Sequence, residues 1–157
     1  MDPKKKVAQP AFLLSQVGAH AATKFGERLA RLRLAPSDSG ILRMLAASAG
    51  ISQQELSAKL GIHPSRLVAI VDTLEKRGLV ERKPNVSDRR QHALHLTAKG
   101  RETLGEIGRI AREHQDALCA ALNAEEREKL AELLARIAEE QGLTPGVHPG
   151  YRRMKPE

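Results

Sequence analysis

The chain has 157 residues, 41% hydrophobic and 29% charged, which suits one compact domain or one domain carrying an appended arm. No apolar run approaches the ~20 residues of a membrane span, the basic start lacks a signal-peptide core, and one cysteine, Cys119, excludes a disulfide framework, so a soluble, cytoplasmic protein with no membrane partner is expected. The net charge of +7 is uneven: residues 1–101 hold 18 Lys and Arg against 8 Asp and Glu, residues 102–157 hold 8 against 11, and the basic part calls for a polyanionic partner.

Residues 1–11 read as a flexible basic terminus. A first helix is expected over residues 12–32, where Leu14, Val17, Ala21, Phe25, Leu29 and Leu32 recur at the helical period. Pro36 opens a second short helix with Ile41, Leu42 and Leu45 inward, because proline is tolerated at the first helical position. Ser52-Gln53-Gln54-Glu55 is a capping box, in which serine and glutamate side chains satisfy each other's backbone N–H groups. The helix it starts buries Leu56 and Leu60 and stops at Gly61.

Pro64 restarts helix at once, with Leu67, Ile70, Val71 and Leu74 inward, and Gly78 ends it. Two short helices around a tight glycine-containing turn form a helix-turn-helix. Past Gly78 the period becomes two. Residues 79–83 and 91–97 read as strands flanking the polar turn 85–90, which makes a basic hairpin. Thr97 caps a further helix reaching about Leu122, and Asn123 caps a last one that Gly142 closes. Residues 143–157 contain three prolines and no periodicity, and are expected to be extended or disordered, with Arg152, Arg153 and Lys155 touching DNA or a partner chain.

The order of these elements, the segment from Gly61 through Arg82, the Asp88-Arg89-Arg90 turn and the Leu96-Thr97-Ala98-Lys99-Gly100 helix start resemble the MarR family of bacterial winged-helix transcription regulators. The likeness extends over about residues 12–141. It implies a mainly α fold with a small β-hairpin wing, divided into a dimerisation helix at 12–34, a winged helix-turn-helix lobe at 35–100 and dimerisation helices at 101–142. It also implies a homodimer that represses transcription from a pseudo-palindromic operator and is released by a small molecule. The interface would be built from Leu14, Val17, Leu118, Leu122, Leu130, Leu133, Leu134 and Ile137. Val68 and Ala69 depart from the hydroxyl or basic residues common in the family's recognition helix, so operator sequence does not transfer.

A recognition helix reads bases with its N-terminal turn, here His63, Ser65, Arg66 and Ala69. Arg66 suits guanine, whose O6 and N7 accept two guanidinium N–H groups together, and Ala69 suits a thymine methyl. Ser65 and the cap residues Ser52, Gln53 and Gln54 are placed for phosphates. By the resemblance, Arg90 is the wing arginine of the minor groove and Asp88 braces the wing, while Arg89, Arg82 and Lys83 neutralise phosphates.

By the same resemblance, which implies an effector cleft beside the first helix, His20, Lys24 and Gly40 are candidate effector-binding residues. The small residue 40 would widen the cavity, and an anionic or phenolic ligand is expected. The bland reading of His20, a histidine in a polar part of the helix packing, is the favoured one, and His114 reads as a hydrogen-bonded interface residue. His92 and His95 point to opposite faces of a strand, so no metal site is expected. No phosphate loop, zinc-protease pattern or nucleophile elbow is present, hence no catalytic residue, no cofactor and no enzyme. Two alternatives stay open: a winged-helix dimer acting through protein contacts, and a redox-responsive regulator using Cys119.

Overall fold

A computed structural model describes residues 9–157. The elements are α1 (Pro10–Leu29) with a 3-10 turn (Ala30–Leu32), α2 (Pro36–Ala47), α3 (Gln53–Leu60), α4 (Pro64–Lys76), β1 (Val80–Pro84), β2 (His92–Leu96), α5 (Ala98–Leu118) and α6 (Ala124–Glu140), followed by a 3-10 turn at Pro149–Arg153. The fold is mainly helical with a single two-stranded antiparallel hairpin among the described residues, the winged-helix class. The basic terminus expected at 1–11 lies largely outside the described residues, although Pro10 and Ala11 already belong to α1.

Local chemistry explains the lobe. Ser52 Oγ accepts the Glu55 N–H at 3.1 Å and the Glu55 carboxylate accepts the Ser52 N–H at 3.2 Å, which starts α3. Gly61 ends it at φ +68°, a left-handed geometry that costs a residue with a Cβ more than it costs glycine. Pro64 then occupies the first turn of α4. Leu29, Ile41, Leu42, Leu45, Leu56, Leu60, Leu67, Val71, Leu74, Leu79, Val80 and Leu94 are all but inaccessible to solvent and form one core shared by α1–α4 and the hairpin. Apolar burial on this scale is the main force holding the lobe.

The strands pair in the register Val80↔Leu96 through Pro84↔His92. The segment before α3 joins them, since Ser52 bridges Ala93 and the Leu94 N–H donates to the Ile51 carbonyl at 2.9 Å. At the hairpin's base, Thr97 Oγ1 donates to the Gly78 carbonyl at 2.6 Å and Lys99 Nζ to that of Arg77 at 2.9 Å. Gly100 sits so close to the Leu79 carbonyl that any Cβ there would overlap it. The end of α4, the root of the wing and the start of α5 are therefore in direct backbone contact.

Two expectations are corrected by the structure. The helix read as reaching Leu122 stops at Leu118, and Cys119–Leu122 form a turn that the Arg127 guanidinium holds by donating to the Cys119 and Leu122 carbonyls. Residues 143–157 are neither extended nor free. They turn back onto the lobe, where Tyr151 is 6% exposed and donates its hydroxyl to the Ser37 carbonyl at 2.6 Å. A 3-10 turn has no long period, so the sequence pattern gave no sign of it.

Outside the lobe the packing is incomplete. Helix α6 buries no residue, and Leu130, Leu133, Leu134 and Ile137 lie exposed on it. Phe12, Leu13, Leu14 and Val17 on α1 and Leu118 on α5 are exposed as well. No helix is long and apolar enough to cross a membrane among the described residues.

Candidate nucleic-acid interface

The first turn of α4 is capped by a histidine. His63 Nδ1 accepts the Ser65 N–H at 3.3 Å and lies 2.9 Å from the Ser65 hydroxyl. Accepting from an amide requires an unprotonated Nδ1, so a neutral ring carries its proton on Nε2. Arg66 and Ala69 are half-buried beside exposed His63 and Val68. The Arg66 guanidinium pairs with the Glu157 carboxylate, while its Nε is buried without a hydrogen-bond partner. Gln54 is exposed and accepts from the Gln91 side chain at 3.2 Å, linking α3 to the wing.

At the wing tip Asp88 Oδ1 accepts the Arg90 N–H at 3.0 Å and the Asp88 carbonyl accepts the Gln91 N–H at 3.0 Å. The aspartate thus shapes the turn through the backbone and leaves the Arg90 side chain in solvent. Arg89 and Arg90 are exposed and make no ion pair among the described residues. Lys83 is exposed and pairs with Glu81 at 3.2 Å. Exposed pairs of this kind contribute ~0–1 kcal/mol, so Lys83 remains available to a phosphate.

Arg82 and Ser52 are corrections. Arg82, expected to neutralise a phosphate, is 15% exposed in its side chain and bonds Asp72 at 2.6 Å, Glu75 at 2.6 Å and the Gln53 side-chain oxygen at 2.6 Å. All of its charge is spent inside the lobe, and Gln53 is engaged with it. Ser52, expected to touch phosphate, is 1% exposed with its hydroxyl committed to the cap. The β-bridge to Ala93 is what buries it, a contact 41 residues away that no local pattern announces.

Beside α2 lies a cavity of about 320 Å³ lined by Phe25, Pro36, Ser37, Arg43, His148 and Tyr151, with Ser39, Gly40, Gly150 and Met154 completing it. Gly40 is another correction. A Cβ there would overlap the Tyr151 oxygen, so the small residue makes room for the tail's tyrosine instead of enlarging the cavity. Burial pushes the Tyr151 phenol up to about 12. His20 and Lys24 do not line this cavity; His20 is exposed and Lys24 pairs with Glu27 at 2.9 Å.

The residues missed from the sequence, Arg43, His148 and Tyr151, had one available signal. The chain's only tyrosine sits in a tail otherwise poor in large apolar groups. His114 packs its ring against Phe25, centroids 5.3 Å apart, with no hydrogen bond among the described residues. Desolvation holds it below the ordinary imidazole range, and the Arg28 and His20 charges add to that. Cys119 is a half-buried free thiol at the end of α5.

Comparison with known proteins finds relatives in sequence and in fold. A sequence profile of the MarR family matches residues 34–91. A putative transcriptional regulatory protein for the hcr operon of Thauera aromatica is 32% identical over 110 residues, covering 70% of this chain and 66% of that protein, so the alignment spans just under two thirds of that relative's length. The transcriptional repressor CouR, solved bound to a 23-mer DNA duplex, is 36% identical with a TM-score of 0.74, covering 83% of this chain and 92% of that one. A MarR family protein of Mycobacterium tuberculosis, solved in complex with salicylic acid, is 28% identical with a TM-score of 0.67, covering 84% of this chain and 98% of that one.

Proposed function

Because the chain belongs to the MarR family of transcriptional regulators, we propose that it is a dimeric repressor that binds a pseudo-palindromic DNA operator and is released by a small anionic or phenolic ligand. The observation that carries this reading is the 36% identity, over 83% of the chain, to a repressor solved on a duplex. The geometry supports it. The N-terminal turn of α4 offers Arg66, the His63 ring and the Ala69 methyl to base edges. The wing offers Arg89 and Arg90, and Lys83, Ser65 and Gln54 serve the phosphates.

The exposed leucines of α6 and the apolar end of α1 supply the dimer contact. A second copy removes them from water, and a helix that buries nothing in its own chain needs such a partner. The ligand fits the cavity beside α2, where Phe25 and Pro36 give apolar walls and Arg43 gives a cation. A carboxylate or phenolate would pair with that guanidinium. The salicylic acid bound by the Mycobacterium tuberculosis protein is of this class.

The test is a fluorescence-anisotropy titration of a duplex taken from upstream of the protein's own gene, run across a salt series. With ~4 counterions released, affinity falls by roughly a decade per doubling of salt. Arg66→Ala weakens binding to this duplex more than to random sequence. Weak, salt-independent and sequence-blind retention would instead favour a module for protein contacts. Equal losses on both duplexes for Arg66→Ala contradict the base-reading role.

A further inference from the structure

Beyond α6 the chain runs back across the surface assigned above to DNA. Tyr151 anchors it, seated under α2 in the niche that Gly40 leaves open and hydrogen-bonded to the Ser37 carbonyl. Arg152 lies with its stem on Gly61, so near that a Cβ at residue 61 would be 2.9 Å from its Cγ. Met154 and Pro156 then form one wall of a cleft whose opposite wall is Gln54, Ala58, Ile62, His63 and Pro64. Glu157 ends the crossing on the guanidinium of Arg66.

We propose that residues 149–157 are an intramolecular strap that competes with DNA for the first turn of α4, with the Glu157 carboxylate holding the Arg66 Nη1 that a guanine would otherwise take. The proposal rests on the DNA-binding reading above. Its physical basis is exclusion. A duplex seated on the N-terminal turn of α4 needs the volume that Met154, Pro156 and Glu157 fill, and an Arg66 whose Nη1 is held by Glu157 cannot close a two-point fork on a guanine. The Arg66 Nε is buried and unpartnered in this arrangement, so the pairing with Glu157 satisfies the arginine incompletely. The strap is thus held by one snug anchor and one replaceable ion pair.

When the binding-competent form is only a fraction of the population, the apparent dissociation constant rises by the reciprocal of that fraction. Relaxing the tip of the strap therefore tightens DNA binding without adding any contact to DNA. Three cations on the strap, Arg152, Arg153 and Lys155, make the opposite arrangement the informative contrast. In that case the same segment would leave Arg66 and lie along phosphates.

The experiment uses the full chain, the upstream duplex and a short random duplex at low salt. Glu157→Gln, at an exposed position that leaves the fold intact, tightens binding by roughly three- to tenfold. The gain disappears when Arg66→Ala is also present. Trypsin cleavage after Arg152 and Arg153 accelerates when saturating duplex is added. Unchanged or weaker binding by Glu157→Gln, or protection of those two sites by the duplex, overturns the strap. If neither the wild-type chain nor Glu157→Gln binds either duplex, the DNA-binding reading itself fails, and the strap with it.

Discussion

Arg82 on β1 and Asp72 on α4 are joined at 2.6 Å, Nη2 to Oδ1, so the wing is tied directly to the helix beside it. Glu75, one turn further along α4, takes Nη1 of the same guanidinium at 2.6 Å. A planar fork meeting two carboxylates holds an angle as well as a distance, which a lysine ammonium would not reproduce. Arg82→Ala is expected to cost about 1–2 kcal/mol of stability, read as a lower urea midpoint. It should also weaken binding to every duplex alike, because it frees the wing and removes no base contact.

Tyr151 is the only tyrosine, and the chain has no tryptophan, so tyrosinate absorbance reports this residue alone. The folded protein should titrate at about 12 and the urea-unfolded chain near the ordinary phenol value of ~10. The sign follows from linkage. A raised pKa in the folded state means that the stability from this site is fully present below the unfolded value and is lost as pH rises through the folded one. Stability should fall between those two values, and Tyr151→Phe should flatten that part of the profile while costing about 1 kcal/mol at neutral pH for the lost hydrogen bond.

Arg90 projects from a turn whose shape Asp88 maintains through a backbone N–H. Arg90→Ala should therefore leave the melting temperature unchanged, weaken DNA binding and reduce the salt slope by about one counterion. Asp88→Ala should lower affinity through the turn instead, with the salt slope retained. Salt-series titrations of both variants separate the two effects.

Leu133 and Ile137 are 42% and 46% exposed on a helix that buries nothing of its own. Leu133→Asp or Ile137→Asp should convert the proposed dimer to a monomer in sedimentation velocity, because an unpaired carboxylate in an apolar interface is strongly disfavoured. The lobe's core contains neither residue, so a cooperative unfolding transition should survive.

The helix-turn-helix was legible because its punctuation is local. The Ser52–Glu55 box, the Gly61 stop and the Pro64 restart each act within four residues, and all three stand in the structure. The hairpin followed from a change of period. Arg82 and the tail were misread for the same underlying reason, since their partners lie in other elements. The acidic groups around Arg82 appear only once β1 docks on α4, and a basic residue in a basic hairpin looks identical whether paired or free. Tyr151 meets Ser37 across 114 positions, and Gly40 gains its meaning only from that encounter. Sequence period reports a face, not what covers it.

The close fit of Gly100 against the Leu79 carbonyl gives α5 the character of a lever with its pivot at the wing root. Helix α5 has 21 residues, so at 1.5 Å per residue it is about 30 Å long, and a tilt of ~10° displaces its far end by ~5 Å. Movement at the remote end, near Leu118 and Cys119, therefore reaches the lobe geared down, as a few degrees of rotation about the wing root.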